Sequence, residues 1–202
     1  MDDSNQIQRS EKDVHRRAVG FVGQEAIMKN IAPLLGHEFQ WEQPNAFKME
    51  YELRDGDDLV ASLRFRSSFG TLATGESADG CWTFKRVGFW RTHATIRARG
   101  SDSDLAVFKN NTWSGGGTLE FPDGRKFLAT TNFWQTQLEF KTETGGPLFH
   151  LKSGGVVHFS AKVDFQPQAA AIPELPWMVM LGWYLTVMMH MDSASAAAVA
   201  AT

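Results

Sequence analysis

One cysteine in 202 residues, Cys81, has no partner within the chain, which excludes a disulfide-stapled scaffold. An excess of charge of either sign is also missing. Twenty Lys and Arg stand against 23 Asp and Glu, a formal net charge of -3, so the chain offers nucleic acid no global attraction. Metal-type spacings are absent. The histidines His15, His37, His93, His150, His158 and His190 never stand at i, i+4, and no cysteine pair accompanies them. Ser114-Gly115-Gly116-Gly117 is not a phosphate loop, because Thr118-Leu119-Glu120-Phe121 follows as a strand where Lys-Ser/Thr and a helix are required. A tight connection or bulge is expected there instead. No nucleophile elbow occurs, and Asp55, Asp57 and Asp58 lack the calcium-loop spacing and its closing glutamate. The polar stretch Met1 to Arg17 is followed by no apolar run of signal-peptide length, so a cytoplasmic protein is expected. No enzyme activity, cofactor or metal follows from these residues.

What is present is a globular composition, 43% hydrophobic and 21% charged, of one-domain length. Residues 1–20 have the character of a polar mobile arm. Across 21–40 a short helix is expected, with Ile27, Ile31, Leu34 and Leu35 on one face and Pro33 and Gly36 ending it. From about residue 46 the period changes to two. In Phe47-Lys48-Met49-Glu50-Tyr51-Glu52-Leu53-Arg54 the odd positions are apolar and the even ones charged, a half-buried strand. Asp55-Gly56 signals a hairpin turn, and Leu59, Ala61, Leu63 and Phe65 resume the alternation. The pattern continues to about residue 165, with turns at Asp79-Gly80, Asp123-Gly124, Gly145-Gly146 and Gly154-Gly155. Ten to twelve short strands result.

Residues 175–191 read differently. Pro173-Glu174-Leu175-Pro176 introduces Trp177-Met178-Val179-Met180-Leu181-Gly182-Trp183-Tyr184-Leu185-Thr186-Val187-Met188-Met189, a helix apolar all round. Such a helix belongs inside a core or a membrane. Its uninterrupted run spans roughly 23 Å at 1.5 Å per residue, short of the ~30 Å of a bilayer core. Acidic flanks and the lack of Lys or Arg beyond position 162 also favour a core helix. A helix is about 10–12 Å across, too wide for an eight-stranded barrel filled by its own side chains. A barrel of about twelve strands encloses it. Ala-rich residues 192–202 read as a tail beyond the helix.

The strands also repeat. GFWRTHATIRARGSDSDLAVFKNN from Gly88 and NFWQTQLEFKTETGGPLFHLKS from Asn132 share Phe-Trp, a polar residue, Thr, a strand, a turn and a second strand, offset by 44 residues. NAFKMEYELRDGDDLVASLRFR from Asn45 is a weaker third copy. Paired strands on Asp-Gly turns, Phe-Trp echoes and a terminal PELPWMVMLGWYLTVMM together resemble the Tubby C-terminal-like superfamily, which includes the LURP-one-related proteins and phospholipid scramblases. The resemblance covers about residues 41–191. It implies an all-β closed antiparallel barrel of about 12 strands around a central hydrophobic C-terminal helix, and a binding or membrane-associated role. No cysteine-rich palmitoylation cluster or Pro-rich N-terminal region of the scramblase kind is present.

One constellation suits an anionic headgroup. Arg91, His93, Thr95, Arg97 and Arg99 alternate with Ala94, Ile96 and Ala98, so the cations face outward if the apolar residues face in. Lys85 and Arg86 precede them, and Arg64 and Arg66 lie on an earlier strand. Guanidiniums offer phosphate a bidentate fork. The expected function is a non-catalytic module that binds anionic phospholipid, peripheral at the membrane. The alternatives are a structural or protein-interaction domain and a tail-anchored membrane protein. Trp82, Trp90, Trp113 and Trp134 are expected to pack at the barrel corners and against the helix, and the methionines to fill space around it.

Overall fold

The computed structural model describes residues 28–68, 70–88, 92–111, 116–154 and 159–200, with the backbone alone for 198–200. Twelve antiparallel strands follow one another around a closed barrel: β1 (Phe39–Glu42), β2 (Glu50–Asp55), β3 (Asp58–Phe65), β4 (Leu72–Ser77), β5 (Gly80–Val87), β6 (His93–Ala98), β7 (Ala106–Asn110), β8 (Gly117–Glu120), β9 (Lys126–Thr131), β10 (Gln137–Thr142), β11 (Pro147–Gly154) and β12 (Ser160–Phe165). Phe39 opposite Val163 and Trp41 opposite Ala161 pair β1 with β12 and close the wall. Each sequence repeat supplies a strand pair, β2–β3, β6–β7 and β10–β11, and these pairs stand four strands apart around the circle.

Alternation sets the inner surface. Tyr51 and Leu53 of β2 are buried while Glu50, Glu52 and Arg54 are not, and the same rhythm brings Trp82 and Phe84 of β5 inward. The β2–β3 turn is the two-residue loop Gly56-Asp57, with Asp55 paired to Asp58 inside the strands, and Asp123-Gly124 lies in a longer β8–β9 connection. Gly56 (φ 57°) and Gly124 (φ 89°) occupy the left-handed region that glycine tolerates without a steric penalty.

The space inside is taken by α1 (Leu175–Ala200). From Leu175 to Met188 every residue is buried, roughly 21 Å of helix. Trp183 stacks on Trp41 at 5.7 Å and on Phe159 at 4.9 Å, and meets the Tyr51 ring edge-on at 5.4 Å. Tyr184 stacks between Phe65 and Phe84 and donates its hydroxyl to the Thr71 carbonyl at 2.6 Å. Helix and wall approach each other through glycine. A Cβ on Gly75 would lie 2.5 Å from Met180 Sδ, and one on Gly182 would lie 2.9 Å from Leu151 Cδ1. Met178, Met180 and Met188 are buried around the helix, as expected of gap-fillers. Among the described residues no helix is long and apolar enough to cross a membrane.

Three expectations need correction. The part of the 21–40 segment that is described holds one 3-10 turn, Ala32–Leu34, not an amphipathic helix. Pro33 sits inside that turn and Gly36 (φ 102°) follows it; Ile31 is still buried, and Ile27 lies outside the described residues. Phe47 does not continue the inward face of β2. The strand starts at Glu50, and Phe47 is 96% exposed in the preceding loop. Finally, α1 does not stop at residue 191. Asp192 is tied to the barrel and the Ala-rich stretch, a strong helix former, carries the helix on to Ala200.

Strand direction gives the barrel two unlike rims. Connections from even to odd strands form one rim, the turn rim, where α1 enters. Connections from odd to even strands form the other, the loop rim, where α1 emerges.

Candidate functional site

The cations singled out from sequence divide into three groups. Arg64, Arg97 and Arg99 do share the outer wall of β3 to β6, with Glu50 opposite Arg64 and Thr83 opposite Arg97. Each already has a carboxylate. Arg97 Nε donates to Asp104 Oδ1 at 2.6 Å, Arg99 Nη1 to Glu76 Oε1 at 3.0 Å, and Arg64 lies 3.9 Å from the other oxygen of Glu76. These partners come from β4 and from the β6–β7 connection, which strand alternation alone does not reveal. An incoming phosphate would have to displace them.

Arg86 is a different matter. It shares the inward parity of Trp82 and Phe84, so it does not belong to the outer face at all. It sits at the loop rim and grips Asp192 of α1 with two bonds, 2.6 and 3.0 Å. That bond raises the guanidinium's proton affinity further. Arg125 does the equivalent at the turn rim. Its Nη2 donates to Glu174 at 2.7 Å, Nε to Asp123 at 2.7 Å, and its plane lies 4.5 Å from the centroid of Phe121. Both ends of the buried helix are thereby held by a guanidinium.

Arg66 and Lys85 form the third group. Both are exposed, and neither has an ion-pair partner among the described residues. The Arg66 N–H bonds to the Leu72 carbonyl, and Leu72 pairs with Lys85, so the two cations lie in one row across three strands. That separation is roughly 10 Å at ~4.8 Å per strand. Both are close to the loop rim. Arg91 lies outside the described residues.

The other candidates contribute little chemistry. Burial pushes the Cys81 thiol up, against the thiolate a nucleophile needs. No group of three metal-binding side chains occurs among the described residues. His150 lies on β11, while His158 lies outside the described residues. Gly117 opens β8, and a Cβ there would meet the Lys109 carbonyl at 2.3 Å, so close backbone approach explains it without a phosphate. A groove of about 330 Å³ runs beside β1, lined by Glu38, Glu42 and Asp55 against Arg54 and Lys162. That acidic majority does not suit an anion.

The Phe-Trp echo was expected to pack against the helix, and where it is described it does not. Phe133 is 89% exposed and Trp134 78%, on the β9–β10 loop of the loop rim. Trp82 is buried as expected; Trp90 and Trp113 lie outside the described residues.

No protein-family model matches the chain, and no curated protein matches it. A crystal structure of a protein from Arabidopsis thaliana is similar over 78% of this chain and 93% of its own, at 12% identity and a TM-score of 0.47.

Proposed function

We propose that the chain is a non-catalytic binding module whose ligand is the anionic phospholipid surface of a membrane, as the Tubby C-terminal-like resemblance also implies. One observation carries it. With α1 filling the barrel, a ligand has to be met on the outside, and there Arg66 and Lys85 stand exposed in one row, without carboxylate partners among the described residues. The ion-paired Arg64, Arg97 and Arg99 play a lesser part than their number suggests.

Cosedimentation with phosphatidylcholine vesicles, with and without phosphatidylserine, tests this at low and high salt. Binding is expected only to the anionic vesicles and to weaken with salt, since exposed charges are screened over ~8 Å at physiological ionic strength. A surface cation contributes about 1 kcal/mol to such attraction, so Arg66→Gln with Lys85→Gln should weaken binding about 30-fold. Arg97→Gln should change it several-fold less. Absence of binding to anionic vesicles refutes the proposal and returns the chain to the protein-interaction alternative.

A further inference from the structure

The exposed apolar side chains are concentrated on one rim. Of the five large hydrophobics most open to solvent among the described residues, Phe47, Val87, Phe133 and Trp134 lie at the loop rim, and Leu105 alone lies towards the turn rim. Soluble surfaces carry single apolar residues routinely; an aromatic cluster rimmed by polar groups marks an interaction site.

The loops are built to hold these rings out. Asn132 Oδ1 accepts the Thr136 and Gln137 N–H groups at 2.8 and 3.0 Å, and its carbonyl accepts Gln135 N–H. Gln135 adopts φ 55°, the single left-handed residue other than glycine among those described. A side chain kept there against its preference is a recurrent mark of functional loops. Phe133 and Trp134 meet edge to face at 5.1 Å. In the equivalent loop of the first repeat, Asn45 Oδ1 accepts the Phe47 N–H at 2.9 Å, and Gln43 bonds the Lys48 carbonyl. Around the wall the two loops are four strands apart, roughly 19 Å, so one plane reaches both. The corresponding connection of the middle repeat reads Gly88-Phe89-Trp90; its aromatic pair lies outside the described residues.

Charge sorts the same way. In sequence, the six segments between an odd strand and the next even one, residues 43–49, 66–71, 88–92, 111–116, 132–136 and 155–159, contain no Asp or Glu. The turn rim carries Asp57, Asp79, Asp102, Asp104, Asp123 and Glu143. The emerging part of α1 suits the same surroundings. Asp192 is neutralised by Arg86, and residues 193–200 are uncharged. Ser193 and Ser195 turn their hydroxyls back onto the Met189 and Met191 carbonyls, both at 2.9 Å, so neither hydroxyl needs water.

From this geometry we infer that the loop rim is a membrane-insertion face. Phe47, Phe133 and Trp134 enter the interfacial layer of an anionic bilayer, with Lys48, Arg66 and Lys85 at headgroup depth and residues 193–200 of α1 in the same layer. This rests on the lipid-binding reading above and adds to it an orientation, turn rim to solvent, and an apolar contribution that salt does not screen. Aromatic rings belong at that depth, where one side is apolar and the other wet.

The test uses the full chain with Cys81→Ser and a single environment-sensitive nitrobenzoxadiazole label. Ala46→Cys places it beside Phe47, and Glu143→Cys places it on the turn rim. On phosphatidylserine-containing vesicles, the label at 46 should shift to the blue and be quenched by nitroxide-bearing lipid, while that at 143 should do neither. Phe133→Ser with Trp134→Ser should weaken vesicle binding at least about 10-fold with an unchanged melting temperature, both rings being exposed. If vesicles bind but the label at 46 stays in water, or the label at 143 is quenched, the insertion face is wrong and the lipid-binding reading stands. If the parent chain binds no anionic vesicle, both fall.

Discussion

Trp183→Ala probes the link between the buried helix and the wall. The Trp183 ring is fully buried and touches three aromatic partners from different parts of the barrel: Trp41 of β1, Tyr51 of β2 and Phe159 before β12. Truncation removes the transfer energy of the ring and leaves a cavity that twelve hydrogen-bonded strands cannot collapse around. Phe or Trp to Ala at such sites costs about 3–5 kcal/mol, a large fraction of the ~5–15 kcal/mol that holds a domain folded. Trp183→Phe should cost less than ring size alone suggests. The indole Nε1 has no hydrogen-bond partner among the described residues, and neither has that of Trp41; an unpaired buried donor costs about 1–3 kcal/mol, which the phenyl ring avoids. Urea unfolding followed by circular dichroism measures both variants. The expected result is a lowered midpoint with an unchanged slope, the mark of lost stability rather than an altered unfolded state. A loss below about 1 kcal/mol for Trp183→Ala would show that the helix is not a structural core, and with it the account of why ligands are met outside would fail.

Two further predictions follow from close approach and from burial. A methyl group on Gly182 meets the movable end of Leu151, whereas one on Gly117 meets the Lys109 backbone carbonyl at 2.3 Å. Gly117→Ala should therefore lower the melting temperature clearly more than Gly182→Ala, with overpacking costs of about 1–3 kcal/mol as the scale; the reverse order in a thermal melt would contradict the packing described. Burial pushes the Tyr51 hydroxyl up to about 12 and raises that of Tyr184 in the same direction. The unfolded chain releases these protons near pH 10, so stability is full below pH 10 and is lost as the pH rises from 10 towards 12. Urea midpoints at pH 9, 10 and 11 should fall in that order, and a flat series would refute the assignment.

The wall and its central helix were legible because each rests on a local signal. Period-two alternation, Asp-Gly turns and an apolar stretch without a wet face require no knowledge of the rest of the chain. The outer arginine face was only half legible, because its ion pairs are set by register. Arg99 is 23 residues from Glu76, and no pattern in the sequence says which strands will place them together. Arg86 leaves the outer face for a different reason. Its parity with Trp82 and Phe84 was readable, but an inward arginine makes sense only at a rim where a helix delivers a carboxylate. Phe47 fits the alternation in sequence, but the strand begins only at Glu50. The missed signal was the asparagine ahead of each ring, Asn45 and Asn132, whose side chains tie the loop's own N–H groups and favour a turn over a strand.

Enclosing a helix also decides where function can reside. A twelve-stranded wall would otherwise leave a lumen, and here the aromatic and methionine side chains of α1 fill it. The interior is thereby committed to stability, and the side walls are largely committed to paired charges such as Arg97 with Asp104 and Lys109 with Glu120. The loop rim holds, among the described residues, exposed rings, the exposed cations Arg66 and Lys85 without an ion-pair partner, and a helix end whose one acid is already neutralised. Leaving Phe133 and Trp134 in water forgoes on the order of 1.5–3 kcal/mol of burial for each ring. Their loop nevertheless holds them out through the Asn132 bonds and the left-handed Gln135. A surface shaped only for solubility would release that loop, so replacing Gln135 with glycine, which tolerates φ 55° freely, should leave stability equal or higher.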